Sequence, residues 1–421
     1  MTTESLPPRP TLRSTLNRPI VVLLLLQLMG GIALSPNRAF LPVYVKELGH
    51  SAIVISAIAT ASRLAGLVSS LAGGTLSDTL GRKRTLLLGN MGLLLTSLIF
   101  FTPSIGVIGV LWVMGGLASG LHTLGGESYL MDTAHPSYLG VLAALYNWGY
   151  TLGGALSGPV AGFLLDRWSY GAFGTALTFS ALLTVLVNQF ALPRSPVEAR
   201  IKAAAQKSTQ TSAEKRTRHK WFGYGDIATR PPVLMLSVLR FLPTFYYGMS
   251  NILIPLLLLD NGASKMIIAL YATVSQIAAS LAQIIVGWAA DRFGPKWLTI
   301  IVFSTLVTGI VGVGALAQSL WGVFAFGSLS LAAAWSLSTL LPSLVAEVTA
   351  PEERGRVLGW VHLWWTLAMS IGALAGGAMF EVAAGLPFGV SAVLNVIATA
   401  LVFVFYRMVR ATSETAVPSE L

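Results

Sequence analysis

The 421-residue sequence contains no cysteine, and only 10% of its residues are charged. The lack of cysteine excludes a disulfide framework, thiol chemistry and cysteine-based metal sites. Hydrophobic residues make up 54% of the chain and the mean hydropathy is +0.72, which is too apolar for a water-soluble domain of this length. The sequence also has no phosphate-cradling glycine loop and no cluster of histidines and acids at metal-ligand spacing. It therefore predicts an integral membrane protein without enzymatic activity, cofactor or bound metal.

Twelve apolar segments are long enough to cross the hydrocarbon core of a membrane, for which about 20 residues are needed. They lie at 19–45, 51–77, 83–103, 106–131, 138–165, 172–192, 232–259, 264–290, 296–317, 320–347, 355–382 and 387–408. The pattern predicts an all-α membrane protein with two six-helix bundles. Their predicted ranges are 19–192 and 232–408, with a polar linker at 193–231 and cytoplasmic tails at 1–18 and 409–421.

Lysine and arginine are distributed unevenly between the two predicted membrane faces. Of 27 such residues, 21 fall on the side of both termini, three on the opposite side and three inside helices. Because basic loops remain in the cytoplasm, this split predicts cytoplasmic termini in a cell membrane, most simply a bacterial inner membrane. The net charge of +10 then reflects membrane orientation, and nucleic acid is not an expected partner.

A short charged loop occurs twice, once in each half of the chain. The copies read Gly74-x-x-x-Asp78-x-x-Gly81-Arg82-Lys83-Arg84 and Gly287-x-x-x-Asp291-Arg292-x-Gly294-Pro295-Lys296. We call the offset from Gly74 to Gly287 the repeat offset. A second repeat pairs residues 132–136 with residues 347–351. Repeated segments in a polytopic membrane protein predict two similar halves that rock about a central site.

These features together resemble the major facilitator superfamily over essentially the whole chain. The loop at 74–84 looks like the signature of that family between helices 2 and 3, and 351–356 looks like its loop between helices 10 and 11. In the fifth predicted helix, the segment typical of drug/proton antiporters is matched by Gly154, Gly158, Pro159 and Gly162. The resemblance implies a secondary transporter that works by alternating access, commonly as a monomer. One departure is Gly116, which stands where proton-coupled antiporters often have an arginine.

The resemblance also implies a gate near the charged loops. Asp78 and Arg82 are expected to lie close to Asp132, so that a charge cluster holds one conformation and breaks in another. The alternative is a plain tight turn with exposed basic side chains. The candidate gating residues are Gly74, Asp78, Gly81, Arg82, Asp132, Asp291 and Glu347.

Three arginines lie inside predicted helices, where an isolated charge is costly and normally lines a cavity or pairs with another group. At the repeat offset, each one is matched by an amide in the other half: Arg38 by Asn251, Arg63 by Gln276, and Arg240 by Gln27. We expect these positions to line a central cavity, although Arg38 and Arg240 are also placed to snorkel towards an interface. The other candidate substrate contacts are Tyr146, Asn147, Tyr247 and Trp364.

Glu127 is the one acid clearly inside a predicted helix. We expect it to carry a coupling proton, with a structural ion pair as the alternative. His122 and His362 are further candidate proton carriers, although a lone membrane histidine is more often simply hydrogen-bonded.

An excess of arginine over acid predicts a positively charged cavity and an anionic or amphipathic small-molecule substrate. The motif in the fifth helix favours export of that substrate in exchange for protons, within a lipid bilayer. The sequence leaves open organic-anion uptake or exchange, a lipid or lysolipid flippase, and a membrane sensor that transports nothing.

Overall fold

The computed structural model describes residues 15–135, 138–195, 225–349 and 353–415, without the side chains of 71–76, 78, 79, 140, 225, 226, 355 and 411–415. The predicted tails and linker lie largely outside these ranges. Within them the chain forms twelve long helices and no strand. The helices are α1 Arg18–Glu47, α2 Ala52–Leu80, α3 Arg82–Ser97, α4 Ile105–Thr133, α5 Leu139–Arg167, α6 Tyr170–Ala191, α7 Pro231–Asp260, α8 Lys265–Phe293, α9 Pro295–Ala315, α10 Leu320–Val348, α11 Arg354–Val382 and α12 Leu386–Thr415.

The twelve predicted helices are confirmed, with differences at some ends. Among the described residues, eleven of the helices are long and apolar enough to cross a membrane, and α5 is outside that set. Helix α3 ends at Ser97 and continues as a 3-10 turn through Phe101. The turn stops because Thr102 precedes Pro103 and is extended, with φ −130° and ψ 131°.

The two halves repeat with close register. Helices α1 and α7 begin and end at positions related by the repeat offset, and so do α2 and α8. Gly81 and Gly294, which are related in the same way, have φ values of +95° and +82° in the tight turns that follow α2 and α8. Because this left-handed backbone favours glycine, the turn in both copies of the repeated loop depends on that residue.

The halves, α1–α6 and α7–α12, meet where α2 packs against α11, α5 against α8 and α1 against α7. The two later glycines of the α5 motif allow this approach. A Cβ added at Gly158 would collide with Thr273 of α8, and one added at Gly162 would crowd Ala269 of α8. Gly154 instead packs against Ser35 of α1, within its own half.

We call the side of the bundle where α1 begins the terminal face, and the opposite side the distal face. At the distal face the halves are joined by two carboxylates that bind the backbone of the other half. Asp166, near the end of α5, accepts hydrogen bonds from the backbone N–H groups of Lys265 and Met266 at 2.8 and 2.9 Å. Glu381, near the end of α11, accepts one from the N–H of Ala52. These distal caps are related by the repeat, since α5 corresponds to α11 and α8 to α2.

Nearer the terminal face, the same helix faces are exposed. Asn147 lies on the side of α5 that carries Gly158, yet it is exposed. His362 of α11 is also exposed, and it lies on the side of the helix that carries Gly377. At Gly377 the packing is close, because a Cβ added there would collide with Ser56 of α2. The close packing of these faces is therefore seen at the distal side, and both exposed residues lie nearer the terminal face.

Candidate functional site

Arg38 of α1 lies at the boundary between the two halves. Its Nη1 donates a hydrogen bond to the hydroxyl of Tyr150 at 3.1 Å, and its guanidinium lies 5.9 Å from the centroid of the Tyr150 ring. The side chain is exposed, so it remains accessible to a ligand. Tyr150, on α5, was not among the residues selected from the sequence.

Arg63 of α2 crosses from one half to the other. Its Nη1 donates to the backbone carbonyl of Met369 on α11 at 3.2 Å and to that of Gly248 on α7 at 3.4 Å. It also interacts electrostatically with Arg38. This half-buried guanidinium thus contacts two neutral carbonyls and lies near another cation and Tyr247.

Tyr247 of α7 connects these groups. It interacts electrostatically with Arg38, Arg63 and Tyr150, and its ring meets Trp335 of α10 edge-to-face with centroids 5.9 Å apart. Five side chains from five helices therefore meet at the junction of the halves. We call Arg38, Arg63, Tyr150, Tyr247 and Trp335 the central cluster.

Gln27 belongs to a separate polar group inside the amino-terminal half. Its Oε1 lies 3.2 Å from His122 Nε2, and Asn90 Oδ1 lies 2.9 Å from His122 Nδ1. Gln27 is 8% exposed and Asn90 is fully buried. Both imidazole nitrogens are therefore occupied by amide groups from α1 and α3.

Arg240 and Trp364 lie away from the central cluster. Arg240 donates from Nη1 to the hydroxyl of Ser338 on α10 at 2.8 Å and interacts electrostatically with His362. The Trp364 ring packs edge-to-face on Phe241 and Trp360, with centroids 5.9 and 6.0 Å apart. Arg240 Nε and Trp364 Nε1 are buried without a hydrogen-bond partner among the described residues.

The remaining candidate contacts occupy different environments. Asn251 donates to the carbonyl of Tyr247, on its own helix, at 2.7 Å. Gln276 is half-buried on α8. Tyr146 is buried inside the amino-terminal half, where a Cβ added at Gly126 would collide with its hydroxyl. Asn251 is also half-buried and interacts with the Tyr247 side chain, so of these three it borders the central cluster.

Glu127 of α4 is exposed and interacts electrostatically with Tyr146. Every other acid in the described helices lies within two residues of a helix end. Glu127 forms no ion pair with a described residue. It is therefore the one acid along the inner length of a described helix.

The first charged loop contains a half-buried ion pair. Arg82 Nε lies 3.2 Å from Asp132 Oδ2, and its Nη1 donates to Ser77 at 3.0 Å. Ser195 also donates to Asp132, at 3.2 Å. Gly74 and Asp78 belong to α2, but their side chains lie outside the described part of the chain.

The second loop differs because Pro295 occupies the position of Arg82. Its acid Asp291 is exposed. Glu347, near the end of α10, is also exposed and interacts electrostatically with Tyr406. Gly116 of α4, which departs from the pattern of proton-coupled antiporters, is required by packing, because a Cβ there would collide with the carbonyl of Ser62 on α2.

Sequence reasoning missed Tyr150, Trp335, Asn90 and Ser338. Each is defined by a contact with a helix that is distant in sequence, and single positions of these residue types carry no spacing signal. Among the described residues, no group of three or more histidines and acids is placed to hold a metal ion.

Comparison with known proteins agrees with this architecture. A curated relative, the gallate transporter of Pseudomonas putida, is 25% identical over 409 residues, covering 88% of this chain and 89% of the relative. The quinolone resistance protein NorA of Staphylococcus aureus is 32% identical over 130 residues, only 29% of this chain and 32% of that protein. The crystal structure of a D-xylose–proton symporter aligns with a TM-score of 0.69 at 19% identity, covering 92% of this chain and 97% of that one.

The family description Major Facilitator Superfamily matches the chain twice, over residues 23–251 and 236–421. These overlapping matches cover both six-helix halves. The chain is therefore a member of the major facilitator superfamily, a family of secondary transporters.

Proposed function

We propose that this transporter carries a small organic anion with an aromatic ring, bound at the central cluster between the two halves. The observation that carries the proposal is the state of the three membrane arginines. Arg38 binds a phenol, Arg63 binds two backbone carbonyls and Arg240 binds a serine hydroxyl. None forms an ion pair within the described residues.

A buried charge without a counter-charge is unfavourable, because the surrounding protein and lipid solvate it less well than water does. A carboxylate that enters the cluster would neutralise Arg38 and Arg63 together. Arginine suits this task because its planar fork binds carboxylates through two hydrogen bonds. The excess positive charge thus favours an anionic substrate over a cationic one.

The aromatic members of the cluster favour a ring on the same substrate. Tyr247 interacts electrostatically with both arginines, Tyr150 binds Arg38, and Trp335 packs edge-on against Tyr247. Stacked or edge-on rings add about 0.5–1.5 kcal/mol to a contact. The similarity to a gallate transporter over most of both chains points the same way, since gallate is an aromatic carboxylate.

For direction, we propose export in exchange for protons, with cytoplasmic termini and the terminal face open to the cytoplasm. The α5 motif is typical of antiporters in this family, and Asn147 and His362 are exposed on the parts of α5 and α11 nearer the terminal face. Glu127 is the proposed proton carrier, because it is the one acid along the inner length of a described helix. Anion exchange would need no such carrier, whereas uptake by proton symport would use the same carrier with substrate and proton moving in the same direction.

The test is transport in proteoliposomes with a panel of benzoate-type acids, their methyl esters and ring-bearing amines. We expect transport of the carboxylates alone, and loss of accumulation when a protonophore collapses the proton gradient. Transport of esters or amines would contradict the anion proposal. Transport that survives the protonophore, or Glu127→Gln with undiminished proton-driven flux, would contradict proton coupling and leave exchange.

A second candidate is efflux of amphipathic compounds, favoured by the partial similarity to NorA. This alternative predicts that the amines of the same panel are carried and that Arg63→Ala retains their transport. The two candidates thus give opposite results in one experiment.

A further inference from the structure

The strongest unassigned feature is a basic pocket between α3 and α6 at the terminal face. It has a volume of about 110 Å³ and is lined by Lys83, Arg84, Leu87, Gln189 and Arg194. All three charged residues in its wall are basic. Lys83 donates from Nζ to the carbonyl of Gln189 at 2.7 Å, which fixes the start of α3 against the end of α6.

The pocket lies above two apolar stripes. On α3, Arg84 is followed one and two turns on by Leu88 and Met91, which are exposed. On α6, Leu186 and Phe190 are exposed as the helix approaches Arg194, and Phe190 is 78% exposed. In a membrane-spanning chain these stripes contact acyl chains, so each one ends in an exposed arginine at the boundary with water.

We propose that this pocket binds the phosphate of an anionic phospholipid headgroup, with Arg84 and Arg194 on either side of the phosphate and the acyl chains along α3 and α6. Basic pockets between helices at the membrane boundary attract anionic headgroups, with each basic side chain contributing separately. The apolar stripes directly below select a lipid over a soluble phosphate. This proposal is independent of the transported substrate.

The corresponding corner of the second half supplies an internal control. The repeat offset relates Lys83 to Lys296 and Arg194 to Arg407, but Trp297 replaces Arg84. Lys296 Nζ lies 5.6 Å from the Trp297 ring centroid and 5.8 Å from that of Tyr406. Aromatic rings therefore occupy the surroundings of this lysine, and we expect weaker lipid binding there.

The experiment is native mass spectrometry of the purified full chain, titrated with phosphatidylglycerol, phosphatidylcholine or glycerol 3-phosphate. We expect saturable binding of phosphatidylglycerol. Arg84→Gln/Arg194→Gln should weaken it about thirtyfold, whereas the charge-matched pair Lys296→Gln/Arg407→Gln should leave it within about threefold. Arg84→Lys/Arg194→Lys should retain most of the binding, and lipid-free melting temperatures establish that each variant is folded.

Three results would overturn the proposal. If phosphatidylcholine bound as tightly as phosphatidylglycerol, the net negative charge of the headgroup would have no role in binding. Glycerol 3-phosphate competing at the same concentration as the lipid would identify a soluble-anion site. An equal loss in both double variants would show that only general surface charge is measured.

Discussion

The two halves share their helix register but place different chemistry at equivalent positions. Arg63 in the amino-terminal half reaches backbone carbonyls of the other half, whereas its counterpart Gln276 stays half-buried on α8. Arg38 binds Tyr150, whereas its counterpart Asn251 binds a carbonyl of its own helix. The amino-terminal half thus supplies both cations of the central cluster, and the carboxy-terminal half supplies Tyr247 and Trp335. The helices that follow the repeat form the scaffold, and the positions that differ between the halves form the central cluster.

The largest expected effect comes from removing the cation that crosses the halves. Arg63→Ala should weaken binding of an aromatic carboxylate about thirtyfold, because hydrogen bonds to a charged group contribute about 1.5–3 kcal/mol. Gln276→Ala, at the equivalent position, should change it by less than about threefold. Ligand-dependent thermal stabilisation of the purified protein measures both. If the carboxylate stabilised Arg63→Ala as much as the unaltered protein, Arg63 would have a structural role and would not bind the substrate.

The charged loops offer the second contrast. Arg82→Gln removes a half-buried ion pair with Asp132, whereas Arg292→Gln alters an exposed residue of the second loop. We expect the first change to reduce the free energy of unfolding by about 1–2 kcal/mol and the second by less than about 0.5 kcal/mol. Thermal unfolding in one detergent compares the variants. Equal shifts would mean that the ion pair contributes nothing beyond surface charge.

Substitutions in the distal caps test whether the two halves separate as units. Asp166→Ala or Glu381→Ala removes a carboxylate from helix N–H groups, a contact that contributes about 1 kcal/mol. Because the chain has no cysteine, Ser56→Cys places a single thiol in the closed distal interface. Its labelling by a membrane-impermeant maleimide should become about fivefold faster in either cap variant.

The matched control for the caps is Asp260→Ala, an exposed acid at the distal end of α7. It should leave the labelling rate unchanged. If labelling became faster to the same extent in all three variants, the effect would come from surface charge in general and not from the hydrogen bonds of the caps.

The smallest expected effect concerns the hydroxyl that binds Arg38. Tyr150→Phe keeps the ring and removes one neutral hydrogen bond, so we expect about threefold weaker binding of the carboxylate. Asn251→Ala, at the position equivalent to Arg38, should change binding less. Calorimetric titration resolves such differences, and a tenfold loss in Asn251→Ala would reverse the assigned roles of the two positions.

Most of the fold could be predicted because it is set by local and periodic signals. The repeated glycines at 81 and 294, the apolar lengths and the basic loops place twelve helices in two halves. The three arginines were identified because charge inside an apolar segment is conspicuous.

Their partners could not be predicted in the same way. Tyr150 lies 112 residues from Arg38 and Met369 lies 306 residues from Arg63. Such contacts depend on how the two halves dock. Packing also decided the place of Tyr146, whose aromatic side chain is buried inside one half.

The distal caps also affect how the protein tolerates sequence change. Each cap has a carboxylate on one side and main-chain N–H groups on the other, and no non-proline substitution removes a main-chain donor. Residues 52 and 266 are therefore free to vary in side chain without loss of the caps, while the acids at 166 and 381 are not. Lys265 is a special case, because its side chain also forms an ion pair with Glu47 of the other half. The backbone caps thus depend on one acid in each half, whereas the neighbouring ion pair depends on the side chains of both Lys265 and Glu47.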